Sequence, residues 1–176
     1  MAKANINITG GDKWRKALSK LAQDKTIKVR AGVLEGAKTT DGKTVAQYAA
    51  YNEFGAVVRV TPKMKAFFRY RFGVNLKKDT LVIPARPFMR RTLEKHRQEW
   101  VNGVAALLKN GRSPQDTLQL VGKRMADDIQ AQIMSNMDPA NSGLTTRIKN
   151  ERESGRAGTL VNTGALVKSI NYEVES

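Results

Sequence analysis

Polar and apolar positions along this chain keep changing period, and each change predicts an element. Residues 12–24 set Trp14, Ala17, Leu18 and Leu21 on one side of a helix, with Asp12 at its N-cap. Ile27, Val29, Ala31 and Val33 then alternate with Lys28, Arg30 and Gly32, the period of a half-buried strand. Residues 34–43 turn to Gly, Thr, Lys and Asp and predict a loop, with a tight turn at Asp41-Gly42. Thr44 and Gln47 have capping-box spacing, Val45, Tyr48, Ala49 and Asn52 share a helical face, and Gly55 stands where a left-handed C-cap is expected.

Val57, Val58 and Val60 predict a short strand, and Thr61-Pro62 opens a helical segment in which Met64, Phe67, Phe68 and Phe72 cluster before Gly73. A turn over 75–80 leads to Leu81, Val82 and Ile83, a buried strand that Pro84 ends because proline has no N–H for a ladder. Pro87 presets φ for a new helix over 86–109, whose stripe is Phe88, Met89, Leu93, Trp100, Val104, Leu107 and Leu108. Asn110-Gly111 stops it, and Ser113, Pro114 and Asp116 start another carrying Leu118, Val121, Met125, Ile129, Ile133 and Met137. So short a link predicts an antiparallel helix pair. Residues 138–159 are the most loop-like part of the chain, with room for a short helix over 143–150. Thr163-Gly-Ala-Leu begins a helical turn, and Ile170, Tyr172 and Val174 alternate as a final strand whose place is beside an earlier one.

This order predicts an α+β fold: a small mixed or antiparallel sheet packed against helices, with a long antiparallel helix pair. The expected organisation is a core domain over 1–137, a flexible arm over 138–159 that neighbours would order, and a C-terminal turn and strand over 160–176 that returns to the core sheet.

Three sequence words carry a resemblance. Tyr48-Ala-Ala-Tyr-Asn-Glu-Phe-Gly-Ala56, Ile83-Pro-Ala-Arg-Pro-Phe-Met89, and Leu160-Val-Asn-Thr-Gly-Ala-Leu166 with Ser169-Ile170 resemble, in that order, the neck and tail-completion proteins of tailed bacteriophages. The middle word is the most distinctive, and the three together run from about residue 43 to the C-terminus. The resemblance implies a non-enzymatic virion subunit. It would form a ring of its own copies at the head–tail junction or tail top and contact other neck, connector or tail subunits.

Charge sharpens this picture. The chain has 31 Lys plus Arg against 16 Asp plus Glu, a formal net of +15, and the window 63–97 alone holds a net of +9. Such clustering attracts phosphates through a sequence-independent, salt-sensitive term. Lys63, Lys65, Arg69, Arg71, Arg90 and Arg91 are the candidate residues for a DNA-facing channel or for contacts with acidic subunits. The alternative function is a basic domain that binds nucleic acid directly. Aromatics interleave with the cations over 63–72, which could serve base stacking, but their helical spacing points instead to core filling.

Catalytic chemistry finds little footing. Cys is absent, which removes disulfides and thiolate chemistry and fits a reducing compartment, and the single histidine, His96, makes a poor metal site and is expected to pack or to pair with Glu99 or Glu94. Glu53 has no visible polar partner, and Gly10-Gly11 lacks the spacing of a phosphate loop. No cofactor, metal or membrane partner is expected. The start of the chain, with Asn5, Asn7, Asp12 and Lys13, lacks the apolar core of a signal peptide, so synthesis in the cytoplasm is expected. The resemblance implies the host cytoplasm during assembly and then the virion.

Phe88, directly after Pro87, is the predicted anchor of the long helix. Phe88→Ala should lower unfolding stability by about 3–5 kcal/mol, read from urea denaturation; an unchanged midpoint would contradict that role.

Overall fold

A computed structural model describes residues 27–34, 44–151, 159–161 and 164–175. The helix expected over 12–24 and the Asp41-Gly42 turn lie outside them. The described elements run β1 (Lys28–Val33), α1 (Val45–Phe54), β2 (Ala56–Arg59), α2 (Pro62–Phe72), β3 (Thr80–Ile83), α3 (Phe88–Lys109), α4 (Pro114–Met134), α5 (Gly143–Glu151), α6 (Ala165–Ser169) and β4 (Ile170–Glu175). The chain is mixed α+β, as its periodicity predicts.

Local chemistry places most of the boundaries. The hydroxyls of Thr44, Thr61 and Ser113 accept from the amides of Gln47, Met64 and Asp116, three residues on. Pro62 and Pro114 follow two of these caps, where a missing N–H costs nothing. Gly73 ends α2 in the left-handed conformation. Gly55 departs from the expected left-handed cap. Its φ is 77° but its ψ is 165°, because the chain passes from α1 into β2 in one residue, and a Cβ there would lie 3.1 Å from Ile83 O and Ala85 N.

The strands divide into two antiparallel ribbons, β1 with β4 and β2 with β3. In the first, Val29, Ala31 and Val33 stand opposite Val174, Tyr172 and Ile170, while Lys28 and Arg30 stand opposite Glu175 and Glu173. The alternation therefore gives this ribbon one apolar face and one face of opposed charges. The final strand does return to an earlier one, as its pattern predicts.

Helix α4 is the central element, packing on α3 and on both strands of the β1–β4 ribbon. Helices α3 and α4 run antiparallel, as the hydrogen bond from Trp100 Nε1 to Asp128 Oδ2 (2.8 Å) across the hairpin shows. The buried residues of α3 are Phe88, Thr92, Trp100 and Leu108, a row in four-residue steps that also carries half-buried His96 and Val104. Such a row is one i±4 ridge. Leu93, expected in the stripe, stands off it and is 49% exposed; Thr92 takes the inward position and ties its hydroxyl to Phe88 O at 2.7 Å. On α4 the inward residues include the small Thr117, Gly122 and Ala126, whereas Leu118 and Met125 are only half-buried.

Phe88, Ile129, Ile133, Met137, Val161 and Ile170 form the core with Ala49 and Ala126, and Phe88 and Ile133 are fully buried. Within the span 138–159, α5 and Thr159 are tied to the body by hydrogen bonds. Arg147 Nη2 donates to Phe72 O (2.7 Å), and Met137 N to the Thr159 hydroxyl (3.0 Å).

Gly122 decides how closely α4 approaches the ribbon. A Cβ there would fall 2.6 Å from Tyr172 Cδ2 and 2.7 Å from Val29 Cγ2, while at Gly103 on α3 it would meet nothing within 4 Å. Helix propensity alone favours alanine at both sites by about 1 kcal/mol. Overpacking should reverse the sign at one of them: Gly122→Ala is expected to destabilise by roughly 1–2 kcal/mol and Gly103→Ala to stabilise by roughly 0.5–1 kcal/mol in urea unfolding.

Candidate functional site

The three sequence words, far apart in the chain, meet in space. The first is α1 with its exit, the second the end of β3 and the start of α3, and the third α6 with its approach. Helix α1 packs on both α3 and α6, and the core joins Ala49, Phe88, Val161 and Ile170, with Leu160 and Leu166 against it.

Glu53 holds this junction together. Proline at position 87 offers no side-chain acceptor to the first amides of α3. The buried Glu53 carboxylate of α1 supplies one from outside the helix: Oε2 accepts from Met89 N at 2.9 Å, and Oε1 from Arg90 N at 3.1 Å and Arg90 Nε at 3.3 Å. The flanking amides are also satisfied, Phe88 N by Arg86 O and Arg91 N by Pro87 O. A carboxylate at a helix N-terminus also meets the positive end of the helix dipole. Glu53 thus has the polar partners that its sequence context hides, and they are structural. Beside it Arg86 N donates to Asn52 O (2.6 Å), so α1 binds the turn before α3 by backbone as well.

The basic candidates separate into two groups. Lys65 is bound to Asp79 at 2.7 Å, whose carboxyl is held below the usual carboxylate range by that hydrogen bond and by the lysine charge. Arg90 is bound to Glu53 and lies over the Phe54 ring. Lys63, Arg69, Arg71 and Arg91 are exposed and make no ion pair with a carboxylate among the described residues. Three of these lie on α2. The aromatics there do not fill the core as expected. Only Phe72 is buried, Phe67 is half-exposed, and Phe67, Phe68 and Phe72 form their own cluster of tilted and edge-on rings. Tyr70 is 92% exposed, and with Lys65, Arg69 and Asn75 it lines an open hollow of about 540 Å³.

His96 pairs with Glu99 (2.9 Å), one of its two expected partners, and stacks on Trp100; its ring lies 4.0 Å from Asp128, which Arg124 also bonds. Among the described residues no cluster of His, Cys, Asp or Glu could hold a metal ion, and no helix is long and apolar enough to cross a membrane.

A second basic feature escaped the charge pattern. Arg86, inside the middle word, is only 6% exposed; it donates from Nε to Pro139 O (2.7 Å) and from Nη2 to Ala140 O (3.1 Å). Lys149 of α5 shares a groove with it. Nothing local marks this pair, because 63 residues separate them in the sequence. Compared with known proteins, the chain matches no family model, no curated protein and no solved structure.

Glu53→Gln preserves volume but turns one acceptor into a donor facing Met89 N or Arg90 N. A loss of about 1–3 kcal/mol in unfolding stability is expected, with the start of α3 losing amide protection in hydrogen exchange. Full retention of both would remove Glu53 as the cap of α3.

Proposed function

We propose that this chain is a structural subunit of a tailed-bacteriophage particle, forming a ring of its own copies at the neck or tail-completion level and serving head–tail joining. It acts through contacts with itself and with neighbouring connector or tail subunits, not through turnover. The observation that carries the reading is the meeting of the three family-like words in one packed junction. Words placed by chance at separations of some thirty and seventy residues have no reason to interlock, whereas Glu53 and Asn52 of the first bind Met89, Arg90 and Arg86 of the second, and Val161 and Ile170 of the third join Phe88 in the core. The outer face nearby is suited to subunit contact: Val57 and Val82 stand opposite each other on the β2–β3 ribbon, 70% and 71% exposed, with Phe54 next to them in the chain also 70% exposed.

The direct nucleic-acid reading is favoured by one observation, the exposed α2 face of Lys63, Arg69 and Arg71 with Tyr70. In the ring reading the same cations, with Arg91, line a channel for packaged DNA. Arg90 and Lys65 are the weakest candidates for such contacts because carboxylates already hold them.

Particles assembled without this chain decide the level at which it acts. Tailless filled heads in electron micrographs are expected for a neck role, and overlong or unjoined tails for a role at the tail top; normal particles would refute the proposal. In filter binding over a salt series, the free chain is expected to hold DNA weakly. A steep negative slope of log affinity against log salt, reduced by about one unit for each of Lys63→Gln, Arg69→Gln and Arg71→Gln, would favour the nucleic-acid reading instead.

A further inference from the structure

Helix α2 and the strands on either side of it carry a strong local excess of positive charge. From Ala56 to Ile83, 28 residues, seven Lys and Arg stand against Asp79 alone, a net of +6, and Asp79 is already bound to Lys65. The helix is not one of the elements that pack closely on the body; beyond its chain neighbours it is tied by Arg147 of α5 at the Phe72 carbonyl. Its inner side is closed by its own rings, with Phe72 buried and Phe67 and Phe68 set edge-on and tilted against it. On the outer side, a turn of about 100° per residue puts Lys63, Phe67 and Tyr70 in one sector, with Arg71 on one flank and Arg69 on the other. All five are exposed. Tyr70, at 92%, makes no hydrogen bond or ring contact among the described residues. A single exposed aromatic is ordinary, but a ring set among cations on a helix without a carboxylate matches a partner that brings both a flat apolar face and negative charge.

We propose that the outer face of α2 is a binding site for unpaired nucleotides, with Tyr70 as the ring on which a base stacks and Lys63, Arg69 and Arg71 as the contacts to neighbouring phosphates. The cations suit any polyanion, and the ring narrows the class. An acidic protein surface pairs with the cations but brings no regular partner for the ring, and a duplex keeps its bases stacked on one another. An unpaired strand presents a π face and a phosphate in every repeat. Every base has that face, so the contact is sequence-tolerant. The open hollow of about 540 Å³ beside Tyr70 has room for a base, with Arg69 and Asn75 offering donors and an acceptor at its wall and Leu76 an apolar surface. Lys65, held by Asp79, is a lesser contributor. Both readings of function above bring DNA to these cations. The site adds the base, and its failure would leave the particle phenotypes unchanged.

The test is fluorescence anisotropy of the full-length chain with a short labelled oligothymidylate, a hairpin duplex with the same number of nucleotides, and a strand of the same length built from abasic sites, all at one ionic strength. One copy presents one such face, so binding is weak and the preference among the three probes reads the site. The oligothymidylate is expected to bind more tightly than the other two. Tyr70→Ala should weaken it about tenfold, the loss of one stacked base, and should leave the duplex and the abasic strand unchanged; Tyr70→Phe, which keeps the ring, should restore it. Arg69→Gln should weaken all three and lower the slope of log affinity against log salt for the oligothymidylate by about 0.7. Since Tyr70 is almost fully exposed, its variants are expected to keep the parent melting temperature, and the abasic strand carries the same test on the unaltered chain. Duplex or abasic strand bound as tightly as the oligothymidylate would overturn the proposal. So would an oligothymidylate affinity that Tyr70→Ala does not move. Displacement of the oligothymidylate by polyglutamate of matched charge as effectively as by unlabelled oligothymidylate would assign the face to acidic protein surfaces instead.

Discussion

The Glu53 carboxylate at the start of α3 is the contact on which the rest of the structure depends. Proline before a helix sets direction without capping it, so a chain that turns at Pro84 and Pro87 leaves amides that need an acceptor. Glu53 provides both of its oxygens from a neighbouring helix. A buried carboxylate is stabilised only where donors surround it, and here two amides, one guanidinium and a helix dipole do so. The cap therefore also fixes the position of α1 against α3, and with it the Gly55 exit into the β2–β3 ribbon.

Once α3 is aimed, the long pair follows. Phe88 enters the core one residue after Pro87, the four-residue ridge of Thr92, Trp100 and Leu108 lies along α4, and Trp100 reaches Asp128 across the hairpin. On its other side α4 uses Gly122 to lie close to Tyr172 and Val29 of the β1–β4 ribbon. At that point the ribbon's side chains occupy the space that a side chain on α4 would otherwise fill, while Ile129 and Ile133 further along the helix enter the core.

Two kinds of positive charge emerge. The exposed cations of α2 and Arg91 sit in water, where each acts over a screened distance of about 8–10 Å. Arg86 and Lys149 are drawn into a groove where the same charge costs more and interacts more strongly.

The sequence by itself determined the element types and most of their ends: Thr61-Pro62, Ser113-Pro114 and Gly73 punctuate helices through chemistry that acts within three or four residues, and the period-two runs placed β1 and β4. It also set the excess of positive charge and the three words of the junction. Only the tertiary structure decided which partners those residues meet. Glu53 looked like an ordinary helix-surface glutamate because its donors lie 36 and 37 residues away, and Arg86 looked like one more member of a basic window although it is buried beside Lys149. Leu93, expected in the stripe, gives its inward place to Thr92, since one residue rotates a helical side chain by about 100° and only the direction of α4 says which of the two faces inward. Local rules reach as far as one helical turn or one pleat, and burial, counter-charge and close approach are properties of the elements that come to lie alongside.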